Sequence, residues 1–131
     1  MMALEDYTFF IDHLGILVWI FLIYISVSDL RNKITPKWTR LIVLGIGIIG
    51  IFLDGSLLFL GYVGSELDKI APFFDHFGIP VFLFLFFIGL KDLKNINIKR
   101  PYWTKIVLLL LAVGGLIADS FILLKYYGLI N

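Results

Sequence analysis

Asp12-His13-Leu14-Gly15-Ile16 returns later in the chain as Asp75-His76-Phe77-Gly78-Ile79, and the match runs far beyond these positions. At a constant offset Phe10, Val18, Phe21, Leu22, Ile25, Asp29, Leu30 and Asn32 meet Phe73, Val81, Phe84, Leu85, Ile88, Asp92, Leu93 and Asn95. After a short insertion, Pro36, Trp38, Thr39, Leu44, Gly50, Asp54, Leu58 and Tyr62 meet Pro101, Trp103, Thr104, Leu109, Gly115, Asp119, Leu123 and Tyr127. Apolar composition can align any two membrane helices, but it cannot align an Asp-His pair, two further aspartates and a Pro-x-Trp-Thr. The reading is therefore a duplicated unit, repeat one over 10–62 and repeat two over 73–127.

The composition sets the solvent. Of 131 residues 60% are apolar and only 16% charged, and the mean hydropathy is +0.99, outside the range of soluble domains. Four apolar segments, at about 12–29, 36–60, 75–91 and 101–126, are each long enough with their flanks to cross a hydrocarbon core of about 30 Å. The expected fold is all-α: a single membrane domain, 1–131, forming a four-helix bundle of two tandem helical hairpins related by a pseudo-twofold along the membrane normal. Residues 1–11 read as an interfacial lead-in rather than a cleavable signal, because Glu5, Asp6 and Asp12 stand where a basic region would be needed. Pro80 is expected in the first turns of the third helix, and 66–72 as a connector.

Arginine and lysine fall mostly on one side. Arg31, Lys33, Lys37, Arg40, Lys91, Lys94, Lys99, Arg100 and Lys105 flank the loops 30–37 and 91–100, against Lys69 and Lys125 on the other side. The positive-inside rule puts both loops in the cytoplasm and both termini outside. Arg31, Lys33, Lys37, Arg40, Lys94, Lys99, Arg100 and Lys105 are also placed to meet lipid headgroups. Trp38, Trp103, Tyr62, Tyr126 and Tyr127 read as interfacial aromatics, and the glycines of 45–50 and 114–115 as faces for close helix approach.

Candidate chemistry is sparse. The chain has no cysteine, which removes disulfides and thiol chemistry, and it carries no phosphate-binding loop or nucleophile. Asp54 and Asp119 interrupt apolar runs, and a charge at such depth costs at least about 2.5 kcal/mol unless paired inside a bundle. Antiparallel counting levels Asp54 with His13 and Asp119 with His76. The expectation is two His–Asp pairs at the end of the bundle away from the loops. As a polar cluster His13, Asp54, His76 and Asp119 are the candidates for a metal, haem or proton, although no cofactor is required by the sequence. Asp12 and Asp75 read as helix N-caps, and Asp29 and Asp92 as caps or loop ion pairs.

The residues carry no family's motif set: the Gly-x-Gly-Asp of prepilin-type peptidases and the cysteines of four-helix thiol oxidoreductases are both missing. The functional expectation is a non-enzymatic accessory or scaffold subunit. Its partners would be the lipid bilayer and other membrane subunits or a second copy, not nucleic acid. One alternative is a cation or proton transporter component using Asp54 and Asp119; another is a metal- or haem-binding redox protein using His13 and His76.

Overall fold

The computed structural model describes residues 4–64 and 71–130. Four helices follow one another, α1 (Leu4–Arg31), α2 (Lys37–Tyr62), α3 (Ala71–Lys94) and α4 (Tyr102–Tyr126), and among the described residues there is no strand. Within them, Phe10–Arg31, Lys37–Tyr62, Phe73–Lys94 and Tyr102–Tyr126 have mean hydropathies of 2.0 to 2.6 and the length to cross a membrane. At 1.5 Å per residue the shortest still reaches about 33 Å. Their outward faces are apolar, with Leu17, Ile49, Phe52, Leu110 and Ile117 all more than 60% exposed. Water would penalise that surface and lipid would not.

Two helix starts differ from the sequence expectation. α1, Leu4–Arg31, is already helical well before Asp12, since no glycine or proline interrupts the chain before Gly15. α3, Ala71–Lys94, is likewise helical before Asp75. The connector expected at 66–72 thus contributes its last two residues to α3, and 65–70 lie outside the described residues. Pro80 consequently sits well inside α3, where it cannot donate to the carbonyl of His76. Asp12 and Asp75 are likewise inside their helices and cap neither one.

The other two helices start where expected. Pro36 and Pro101 precede the first turns of α2 and α4, and the hydroxyls of Thr39 and Thr104 donate back to their carbonyls at 2.7 and 2.5 Å. α2 and α4 end near Gly64 and Gly128, both at φ +73°, a conformation that glycine adopts without a Cβ clash.

α1 packs along α2 and α3 along α4, while contact between the two hairpins is much thinner and falls mostly on α1 with α4. The shared core is Leu22, Ile25, Val43, Phe82, Leu85, Ile88, Leu108 and Ala112, in the middle and toward the loop end. Gly47 brings α2 against α1: an added Cβ would lie 3.0 Å from the Trp19 carbonyl oxygen. Toward the termini the hairpins separate, and a cavity of about 440 Å³ opens between α1, α2 and α3.

Candidate functional site

The cavity is built from apolar walls and four carboxyl groups. Ile46, Ile49, Leu53 and Leu57 of α2 face Phe74, Phe77 and Val81 of α3, while Asp12, Asp54, Asp75 and Asp119 line it from all four helices. At its deeper end Trp19 and Phe82 stack across the hairpin interface, with ring centroids 5.9 Å apart and planes 20° from parallel.

Four glycines make this arrangement possible. A Cβ on Gly15 would lie 2.2 Å from Asp54 Oδ2, and one on Gly78 would lie 1.6 Å from Asp119 Oδ2. On the opposite helices, a Cβ on Gly50 would meet the Trp19 ring at 2.3 Å and one on Gly115 the Phe82 ring at 2.4 Å. Each carboxylate therefore lies in a notch on its partner helix, and each ring lies on a glycine of the helix that carries the carboxylate.

The two halves of the site differ in one donor. Trp19 Nε1 donates to Asp54 Oδ2 at 2.6 Å, whereas the position that corresponds to Trp19 in the later stretch is Phe82, which has nothing to donate. Asp119 instead has the carboxyl group of Asp75 as its electrostatic neighbour. Asp75 Oδ2 is buried, and among the described residues no N–H or O–H group reaches it. Asp12, 8% exposed, has Asp54 and Asp119 as its electrostatic neighbours, so it too faces carboxyl groups.

The histidines go elsewhere. His13 Nε2 and the Tyr62 hydroxyl lie 2.6 Å apart, and His76 Nε2 and the Tyr127 hydroxyl also 2.6 Å, both at the exposed ends of the helices. The Nδ1 of His76 lies 2.8 Å from the Phe73 carbonyl, which fixes the neutral ring as a donor there and an acceptor toward Tyr127. Each expected His–Asp pair is thus split: histidine is held by tyrosine and Asp54 by Trp19, while Asp119 has Asp75 as its electrostatic neighbour. Antiparallel counting puts the groups at similar depth but does not say which way each turns around its helix. Among the described residues, no group of three or more His, Asp or Glu side chains has the placement to hold a metal ion.

At the loop end the structure holds a second polar assembly, in which Asp29 and Asp92 form the ion pairs expected of them, with two arginines expected instead at lipid headgroups. Asp29 of α1, Arg40 of α2, Asp92 of α3 and Arg100 in the turn before α4 are each at most 5% exposed. Arg40 forks onto Asp92 at 3.0 and 3.1 Å and reaches Asp29 at 3.2 Å; Arg100 reaches Asp92 at 2.6 Å and also bonds Asp29. The Nε of Arg100 donates to Thr104 at 3.0 Å. Two positive and two negative charges alternate, so the assembly is neutral and joins both hairpins. Ile34 and Ile98 close the same end, each 6% exposed.

Three of the expected headgroup residues are thereby reassigned. Arg40 and Arg100 are buried in the ion cluster, and Lys105, 7% exposed, donates to the Asn95 carbonyl at 3.1 Å. Arg31, Lys33, Lys37, Lys94 and Lys99 remain exposed around the loops. The signal available in the sequence was the pairing of Asp29 and Asp92, one near each loop, with arginine rather than lysine at 40 and 100. Only arginine offers a planar fork to two carboxylates.

Fold and sites define a small multi-pass membrane protein of the four-helix class. Comparison with protein-family models, curated proteins and solved structures returns no match to this chain.

Proposed function

We propose that this chain is a non-enzymatic integral membrane accessory protein that acts by binding, and that its guest occupies the acidic cavity between the hairpins. The observation that carries this is the cavity itself: about 440 Å³, apolar-walled, with four aspartates converging on it. That volume lies within the roughly 300–1,000 Å³ of small-molecule sites, which also combine apolar walls with a few polar groups. Its lining falls on α1, α2 and α3 with only Asp119 from α4, so the space lies toward the α2–α3 side, where the hairpins touch little. A guest would approach from the bilayer.

The architecture behind this reading is a duplication of 10–62 and 73–127 with a pseudo-twofold along the membrane normal, loops 30–37 and 91–100 cytoplasmic and both termini outside. Matched contacts support it: Gly15 under Asp54 and Gly78 under Asp119, His13 with Tyr62 and His76 with Tyr127, Trp19 on Gly50 and Phe82 on Gly115. The transport alternative needs a water path through the membrane, and the buried ion cluster with Ile34 and Ile98 lies across the loop end of any such path. The redox alternative needs His13 and His76 free to ligate, yet each places Nε2 against a tyrosine hydroxyl.

The test is fluorescence of Trp19, left as sole tryptophan by Trp38→Phe and Trp103→Phe, with the neutral lipophile diphenylhexatriene as energy acceptor in maltoside micelles. Saturable transfer that is lost when Ile49→Phe and Val81→Phe fill the space between α2 and α3 supports a binding cavity. Transfer that rises only with the probe's micellar concentration, and ignores those substitutions, rejects it.

A further inference from the structure

Resting on the binding reading above, we infer that the cavity takes an amphiphilic organic cation: an ammonium group set among Asp12, Asp54, Asp75 and Asp119, with an apolar body reaching down to Trp19 and Phe82. The charge argument starts from what the protein leaves unanswered. Among the described residues every buried basic residue, Arg40, Arg100 and Lys105, lies at the loop end. The four carboxyl groups at the other end line one space, and no basic side chain among the described residues lines it. Asp12 is nine-tenths buried, lines the cavity, and has other carboxyl groups as its electrostatic neighbours. Asp75 adds a buried oxygen with no N–H or O–H partner among the described residues. Buried carboxyl oxygens without donors are costly, and a ligand that supplies positive charge offsets that cost.

The walls select for a cation with an apolar body rather than for a bare ion. Trp19, Phe74, Phe77 and Phe82 surround the space, and ring faces attract ammonium groups when water is excluded. Inorganic ions would find carboxylates but no ring of further oxygen ligands, since the remaining described lining is Ile, Leu, Val, Phe, Trp and Gly. A transmembrane helix bearing a lysine would supply the same charge, but a small-molecule volume suits a compact amphiphile better than a helix about 10 Å across.

The experiment compares two probes that differ only in charge: diphenylhexatriene and its trimethylammonium derivative, each titrated against the sole-Trp19 protein in maltoside micelles. The expected result is at least tenfold tighter saturable binding of the cationic probe, with the preference reduced to within twofold in Asp12→Asn/Asp75→Asn. Asp12→Asn alone, checked for monodispersity by gel filtration, serves if the double variant does not fold, and should lower the preference at least threefold. Dodecyltrimethylammonium should displace the cationic probe where dodecanol does not. Displacement by phosphatidylethanolamine as well would make the natural guest a lipid ammonium; none would make it a free amphiphile. Equal binding of the two probes, or a preference that survives the aspartate substitutions, overturns the cation assignment while leaving the cavity intact. Saturable binding of neither probe overturns the binding reading itself.

Discussion

Arg40 of α2 and Asp92 of α3 meet as a fork across the hairpin interface, Nη2 to Oδ1 at 3.0 Å and Nη1 to Oδ2 at 3.1 Å, with both side chains at most 5% exposed. The contact joins two helices that otherwise touch little. Removing one partner of a buried pair strands the other charge, at a cost of about 3–5 kcal/mol. Arg40→Met should therefore lower stability by that order, read from denaturant unfolding in detergent. Arg40→Lys, which keeps the charge without the fork, should lose less but remain clearly destabilised. Coupling between Arg40→Met and Asp92→Asn below about 0.5 kcal/mol would show that the fork does not hold the hairpins together.

Gly78 predicts a more local effect. Because its added Cβ would fall 1.6 Å from Asp119 Oδ2, Gly78→Ala must push that carboxyl out of its notch. Overpacking of this kind costs about 1–3 kcal/mol. Asp119→Ser, which withdraws the obstructing atoms, should restore most of the loss when combined with Gly78→Ala. Additive losses in the double variant would mean the two residues do not touch in this way.

Trp19 and Asp54 should be separable by substitution. Trp19→Phe gives the earlier stretch the ring found at Phe82 but removes the donor 2.6 Å from Asp54 Oδ2. A hydrogen bond to a charged acceptor contributes about 1.5–3 kcal/mol. Thermal unfolding should register that loss, and Asp54→Leu should then cost less in the Trp19→Phe background than in the native one. The stack on Phe82 survives the change, so a larger collapse would locate the stabilisation in ring packing instead.

The histidine pairs should matter least. Tyr62→Phe and Tyr127→Phe each remove one hydroxyl 2.6 Å from a histidine Nε2 at an exposed helix end. Each should cost no more than about 1 kcal/mol, and the pair should leave probe binding in the cavity unchanged. His13→Ala with His76→Ala, which also removes ring contacts with the tyrosines at 5.7 and 5.6 Å, should lower the melting temperature further. An unchanged melting temperature would show that these contacts fasten nothing.

Orientation is open to a direct readout because the chain has no cysteine. Asn97→Cys in the α3–α4 loop should be shielded from an impermeant maleimide added to intact cells, and Ile130→Cys should be labelled. The reverse pattern would place the loops outside.

Part of this molecule was legible in its residues. Four long apolar runs bounded by Pro36, Pro101 and the loop cations were enough to place four helices, because apolar length and proline position act locally. That α1 and α3 are helical ahead of Asp12 and Asp75 was less legible, since charged residues stand before both positions. The aspartates were recognisable as unusual, but their partners were misassigned. Depth along a helix follows from counting at 1.5 Å per residue; rotation about its axis and the crossing of neighbours do not.

What the sequence by itself determined is thus the solvent and the elements: a chain too apolar for water, in four membrane-length helices, with carboxylates at two depths. Only the tertiary structure decided that Asp29 and Asp92 share two arginines from opposite hairpins, that Asp54 takes a proton donor from Trp19, and that Asp119 has Asp75 as its electrostatic neighbour. The reason is physical. A buried charge is satisfied by whichever group packing brings within about 3 Å, and that distance is set by how glycines 15, 50, 78 and 115 let the helices close on one another.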